Sequence, residues 1–150
     1  MYERYTQSAS RVIFHACHEA LRYGSPYIES EHLLLGIFLE NEALATRIGG
    51  QTGSIESFRK EIETKTTIGQ PVAGSREVPV SADSKKILML AAEEADKLGQ
   101  RPISLGHLLL GMLRVEKCIA ARILQAHGAT LSAMREESIR DMRWAGGFDT

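Results

Sequence analysis

The five residues His32-Leu33-Leu34-Leu35-Gly36 recur letter for letter as His107-Leu108-Leu109-Leu110-Gly111, halfway along a chain of 150 residues. The same spacing pairs Glu19 with Glu94, Ala20 with Ala95, Gly24 with Gly99, Ile28 with Ile103, Arg47 with Arg122 and Ile48 with Ile123. Chance identity between two leucine-rich segments does not keep register across its surroundings, so the chain is two copies of one unit. Two copies are too few for a solenoid, which needs about three stacked units, and a half-chain buries little surface by itself. The arrangement expected is all-α, two four-helix repeats related by a pseudo-twofold axis and sharing one core.

Within each copy the apolar spacing is helical. Val12, Ile13, Ala16, Cys17 and Ala20 mark one face of a first helix, and Ile87, Leu88, Ala91, Ala92 and Ala95 mark its counterpart. Thr6 and Ser81 stand where N-caps are needed, with Tyr5 and Val80 before them as a hydrophobic staple. Gly24 and Gly99 end both helices. A turn containing Pro26 or Pro102 leads to the second helix, capped by Glu29 or Ser30 in one copy and Ser104 in the other. Three consecutive leucines cover more than one helical face, so this helix is the most buried of each unit, with Gly36 and Gly111 admitting a second backbone. A third helix carries Leu44, Ala45 and Ile48, or Ile119, Ala120, Ile123 and Leu124, and Gly53 or Gly128 breaks it. The fourth carries Ile55, Phe58 and Ile62, or Leu131, Met134, Ser138 and Met142, where the repeat offset has grown by one residue.

These boundaries give a first repeat at 1–63, a linker at 64–79, a second repeat at 80–142 and a frayed tail at 143–150. The linker holds Thr66, Thr67, Gly69, Pro71, Gly74 and Pro79 without apolar periodicity, and is expected to be the most mobile internal segment. Cys17 and Cys118 occupy slots where the opposite copy has Ala92 and Ala43, which favours buried, reduced thiols over a disulfide.

The formal charge is −1, with neither half carrying the cationic excess that nucleic-acid backbones demand. No apolar run reaches the roughly 20 residues of a membrane span, and the polar start is not a signal peptide; the expected compartment is the cytoplasm. His32 and His107 have no catalytic companions, and each is read as structural, one ring nitrogen meeting a backbone or side-chain partner. His15 and Cys17, two apart on a helix, diverge and make no zinc site with His18. Glu93-Glu94 and Glu136-Glu137 are read as solvated helix faces. No nucleophile, base and orienting group come together, and no phosphate loop of the form G-x-x-x-x-G-K-[ST] occurs. No enzyme, cofactor or metal is indicated.

The opening Met1-Tyr2-Glu3-Arg4-Tyr5-Thr6, the phrase Ile28-Glu29-Ser30-Glu31-His32-Leu33-Leu34-Leu35-Gly36, the restart Val78-Pro79-Val80-Ser81 with Lys85-Lys86, and the second HLLLG resemble the double repeat at the N-terminus of Clp AAA+ unfoldases, closest to the ClpC type. The likeness covers about residues 1 to 142. It implies a non-catalytic domain that docks adaptors and substrates onto an ATP-driven ring feeding a protease. Its implied partners are Clp adaptor proteins, Clp ATPase or protease subunits, and unfolded or arginine-phosphorylated substrates. In ClpC-type members the Glu before the His of each repeat holds the guanidinium of a phosphorylated arginine. Glu31 matches that position. Gly106 stands there in the second copy and offers no carboxylate, so one ligand site per chain is expected.

A phosphoarginine joins a planar donor fork to an anion. A carboxylate accepts from the fork, and N–H groups at a helix start hold a phosphate. Glu31 supplies the first; Ser30, Glu29 and the adjoining backbone are the candidates for the second. The competing structural role for Glu31 is to complement its helix dipole, worth about 0.3–1 kcal/mol. A groove between the copies framed by Tyr2, Arg11, Val80 and Lys85 is the candidate partner surface. A free-standing regulator that docks on a Clp ring or protease, or sequesters marked proteins, is the alternative; a phosphate loop further along the reading frame separates the two. A small hydrolase is the remote third.

Overall fold

Each copy of the repeat folds as four helices for reasons visible at their ends. The computed structural model describes residues 4–74 and 76–141, with side chains up to residue 137. Tyr2, Met142, the side chain of Ser138 and the tail 143–150 lie outside the described residues. The first copy holds α1 (Gln7–Arg22), α2 (Ser30–Glu40), α3 (Glu42–Gly49) and α4 (Ile55–Glu63); the second holds α5 (Ala82–Lys97), α6 (Leu105–Arg114), α7 (Ile119–Ala126) and α8 (Leu131–Asp141). The Thr6 hydroxyl accepts from the Ala9 N–H (3.1 Å) and that of Ser81 from the Ser84 N–H (3.1 Å). Gly24 and Gly99 adopt φ of 65° and 69°, the left-handed conformation that stops α1 and α5.

Every residue of α2 from Ser30 to Phe38 and of α6 from Leu105 to Leu113 is buried. α2 packs on α1, α3 and α4 of its own copy and on α5, α6 and α7 of the other. The two glycines of the repeated motif allow this. A Cβ on Gly36 would stand 2.7 Å from the Val12 carbonyl oxygen, and one on Gly111 would stand 2.5 Å from that of Ile87. Val12 and Ile87 are themselves repeat equivalents, so both copies use one close helix–helix contact.

The copies are joined by a reciprocal exchange. Tyr5 pairs in parallel with Ile103, and Ile28 pairs in parallel with Val80. Thr6 N–H donates to the Ile103 carbonyl (3.1 Å) and Ile103 N–H to that of Arg4 (2.7 Å). In the mirrored half, Ser81 N–H donates to the Ile28 carbonyl (3.0 Å) and Ile28 N–H to that of Pro79 (2.8 Å). Tyr5 and Val80 thus lie in cross-copy contacts: the segment leading into each copy's first helix is held by the other copy.

Two expectations about these elements need correction. α3 is stopped by Gly50, at φ 78°, and followed by a 3-10 turn over Gly50–Thr52. Gly53 has φ −70° and is glycine because a Cβ would meet the Ala45 carbonyl oxygen at 2.4 Å. Cys118 is buried, but Cys17 is only half-buried, its thiol donating to the Arg76 carbonyl (3.3 Å). The segment between α4 and α5 has no helix among its described residues and is strapped to the end of α1: Gly69 N–H donates to the Tyr23 carbonyl (2.8 Å) and Val72 N–H to that of Leu21 (2.9 Å).

Candidate functional site

The beginning of α2 opens onto a cavity of about 450 Å3. The loop Tyr23–Pro26 and residues Glu29–His32 form its first-copy wall; Thr66, Thr67 and Gly69 of the strap cover it, and Asp83, Lys117, Cys118 and Ile119 close it from the second copy. Glu29, Ser30 and Glu31, the three candidate ligand residues, are thus brought together. Arg11, Val80 and Lys85 are absent from this lining. The Arg11 guanidinium instead pairs with Glu40 (2.6 Å), which also meets His15 (2.9 Å); Val80 is committed to its bridge with Ile28, and Lys85 is exposed.

Glu31 is 3% exposed. Burial pushes its carboxyl above the ordinary range, and the neighbouring Glu29 charge adds to the rise. Its own backbone N–H and the hydroxyls of Thr66 and Ser30 partly offset this. Ser30 Oγ lies 3.3 Å from the Glu31 carboxylate, and accepts the N–H of Ala120 (3.2 Å). That second bond crosses the repeats, so a first-copy hydroxyl satisfies a donor in the first turn of α7. The α7 N-cap is Cys118, whose sulfur accepts the Ala121 N–H (3.4 Å); burial holds its thiol above the usual value.

The two repeated histidines do the same structural job. His32 Nδ1 accepts the Glu29 N–H (2.9 Å) and His107 Nδ1 accepts the Ser104 N–H (2.9 Å), each closing the first turn of its helix. Burial lowers His32 to about 4, so its ring is neutral at pH 7. Tyr23 stacks beside it (centroids 6.1 Å apart, planes 19° apart) and donates its hydroxyl to Glu63 (2.9 Å).

Beneath this floor lies a buried pair that the sequence reading missed. Arg59 grips Glu19 with both terminal nitrogens, Nη1 to Oε1 and Nη2 to Oε2. The second copy repeats it: Arg135 holds Glu94 through two bonds of 2.9 Å, and Arg114 adds a third at 3.0 Å. Glu94 is therefore not on the solvated face expected for Glu93-Glu94 but 1% exposed; the arginines that hold Glu19 and Glu94 lie in the fourth helices, where the repeat offset is one residue longer. Applying that longer offset to Arg59 finds Arg135. No such signal existed for Asp83 and Lys117, which reach the cavity only because the copies fold against each other. Among the described residues, no group of three or more His, Cys, Asp or Glu is placed to hold a metal, and no helix is long and apolar enough to cross a membrane.

Two four-helix repeats joined by reciprocal backbone bridges at their entry segments, with a polar cavity at the seam, define a double-repeat helical interaction domain. Residues 4–127 match the Clp repeat (R) N-terminal domain, and the chain belongs to that family. It is 34% identical over 141 residues to the negative regulator of genetic competence ClpC/MecB of Bacillus subtilis, covering 93% of this chain and 17% of that protein. Against the chloroplastic chaperone protein ClpC2 of Oryza sativa the identity is 36%, over 93% of this chain and 15% of the relative. The chain thus spans about a sixth of the length of these relatives. The fold matches the crystal structure of the N-terminal domain of the ClpD chaperone of Arabidopsis thaliana (TM-score 0.76, 23% identity, 95% of this chain and 97% of that one). It also matches the Hsp104 N-terminal domain of Candida albicans (TM-score 0.71, 17% identity, 99% and 97%).

Proposed function

We propose that this chain is a recognition domain of a cytoplasmic Clp-type unfoldase and protease system, and that its Glu31 cavity takes the side chain of a phosphorylated arginine. The observation that carries this is a single buried carboxylate, Glu31, on the wall of a cavity large enough for a side chain. A guanidinium entering there replaces the hydroxyls of Thr66 and Ser30 with a charge-assisted fork, a stronger partner for an anion already short of solvent. The second copy has Gly106 at the matching position, so the stoichiometry is one. Adaptors, Clp ATPase or protease subunits and unfolded proteins are the further partners, with Arg11 and Lys85, exposed on α1 and α5, as their docking residues.

Calorimetric titration with phosphoarginine tests the reading. One site per chain, lost in Glu31→Gln, is the expected result. Two equal sites, no binding, or unchanged affinity in the variant would remove Glu31 from this role.

A further inference from the structure

A cavity for phosphoarginine has to hold two opposite charges. Three of the described lining residues, Glu29, Glu31 and Asp83, are acidic, and Lys117 is the one Lys or Arg among them. Carboxylates suit the guanidinium but repel a phosphoryl group, which carries roughly −1.5 to −2 at pH 7. Left to its acids, the cavity would prefer plain arginine.

Helix starts are the usual remedy for a phosphate, but at both starts by this cavity several of the donors are already engaged. At α2 the N–H groups of His32 and Leu33 go to the Glu29 carbonyl (3.1 and 3.2 Å), and that of Glu31 serves its own carboxylate. At α7 the Ala120 N–H goes to Ser30 Oγ (3.2 Å) and that of Ala121 to the Cys118 sulfur (3.4 Å). The one cationic side chain of the described lining is that of Lys117, which is exposed. The turn that carries it is held against the first copy, because Ala120, three residues on, donates its N–H to Ser30, the residue next to Glu31.

We propose that Lys117, contributed by the second repeat, is the specificity-determining residue of the cavity: its ammonium holds the phosphoryl group while Glu31 of the first repeat holds the guanidinium. This rests on the cavity being a guanidinium site. It also gives the second copy, which lacks a carboxylate of its own at Gly106, a part in the one site the chain has.

The test titrates the full chain with two probes, phosphoarginine and unmodified arginine, comparing wild type with Lys117→Met, Lys117→Glu and Glu31→Gln. Lys117 is exposed, so its variants fold. Lys117→Met should lower phosphoarginine affinity about tenfold or more, the worth of one charge-assisted bond, and leave arginine unchanged; Lys117→Glu should invert the preference. An unchanged ratio of the two affinities in both variants, with Glu31→Gln still abolishing binding, overturns the role of Lys117 and leaves the guanidinium site standing. Binding of neither probe by the wild type, or full binding by Glu31→Gln, overturns both.

Discussion

Glu31 and His32 are neighbours in sequence and are shifted by the same cause, burial, with opposite consequences for pH. His32 titrates near 4 in the folded chain against 6.5 for a free imidazole, so between those values the unfolded chain binds a proton that the folded one refuses. Stability should fall as pH drops from 6.5 toward 4, by roughly 3 kcal/mol from this group. Denaturant titrations across that range check the slope, and imidazole NMR shifts check the midpoint. Glu31 works the other way. Its carboxyl is raised, so keeping it ionised costs stability above its folded pKa, and the cost fades as it protonates. Glu31→Gln, which removes the charge and keeps the shape, should therefore be at least as stable as wild type at pH 7 while losing the ligand. A lower melting temperature would mean that the carboxylate is there to hold the fold. The Glu19–Arg59 pair is the contrasting case: both groups are buried and each is the other's partner, so removing either leaves a charge uncompensated, at about 3–5 kcal/mol.

At the scale of helices, the caps at Thr6 and Ser81, the stops at Gly24 and Gly99 and the buried HLLLG helices were legible because each follows from a local rule. Gly50 was not, since the choice between Gly50 and Gly53 depends on a 3-10 turn and on the approach of the Ala45 carbonyl. The strap over residues 64–79 looked like free linker because its anchors are backbone bonds to Tyr23 and Leu21, which leave no trace in side-chain pattern. The motif glycines give the clearest test of helix packing. Gly36→Ala and Gly111→Ala should each lower stability, since overpacking against a backbone carbonyl costs about 1–3 kcal/mol and the better helix propensity of Ala returns about 1. Gly111→Ala should cost more, its contact being closer by the distances above. Urea midpoints check both, and two neutral substitutions would contradict the close α1–α2 and α5–α6 contacts.

For the whole molecule, the repeat shows that there are two copies but not how they hold each other. The exchange of Tyr5 with Ile103 and of Ile28 with Val80 pairs positions that the repeat and its motifs single out without showing that they meet across the copies, and the cavity inherits its composition from it. Glu31, Ser30 and Glu29 were identifiable from one copy, whereas Thr66, Asp83 and Lys117 come from the strap and the other copy. The account therefore stands on one site built by both repeats. Amide NMR mapping of the full chain during titration with phosphoarginine tests this most directly. The predicted result is a single set of perturbed resonances, at residues 29–32, 66–69 and 117–121 together, with the region of Gly106 unmoved. Perturbations confined to the first copy, or a second set around Gly106, would contradict it.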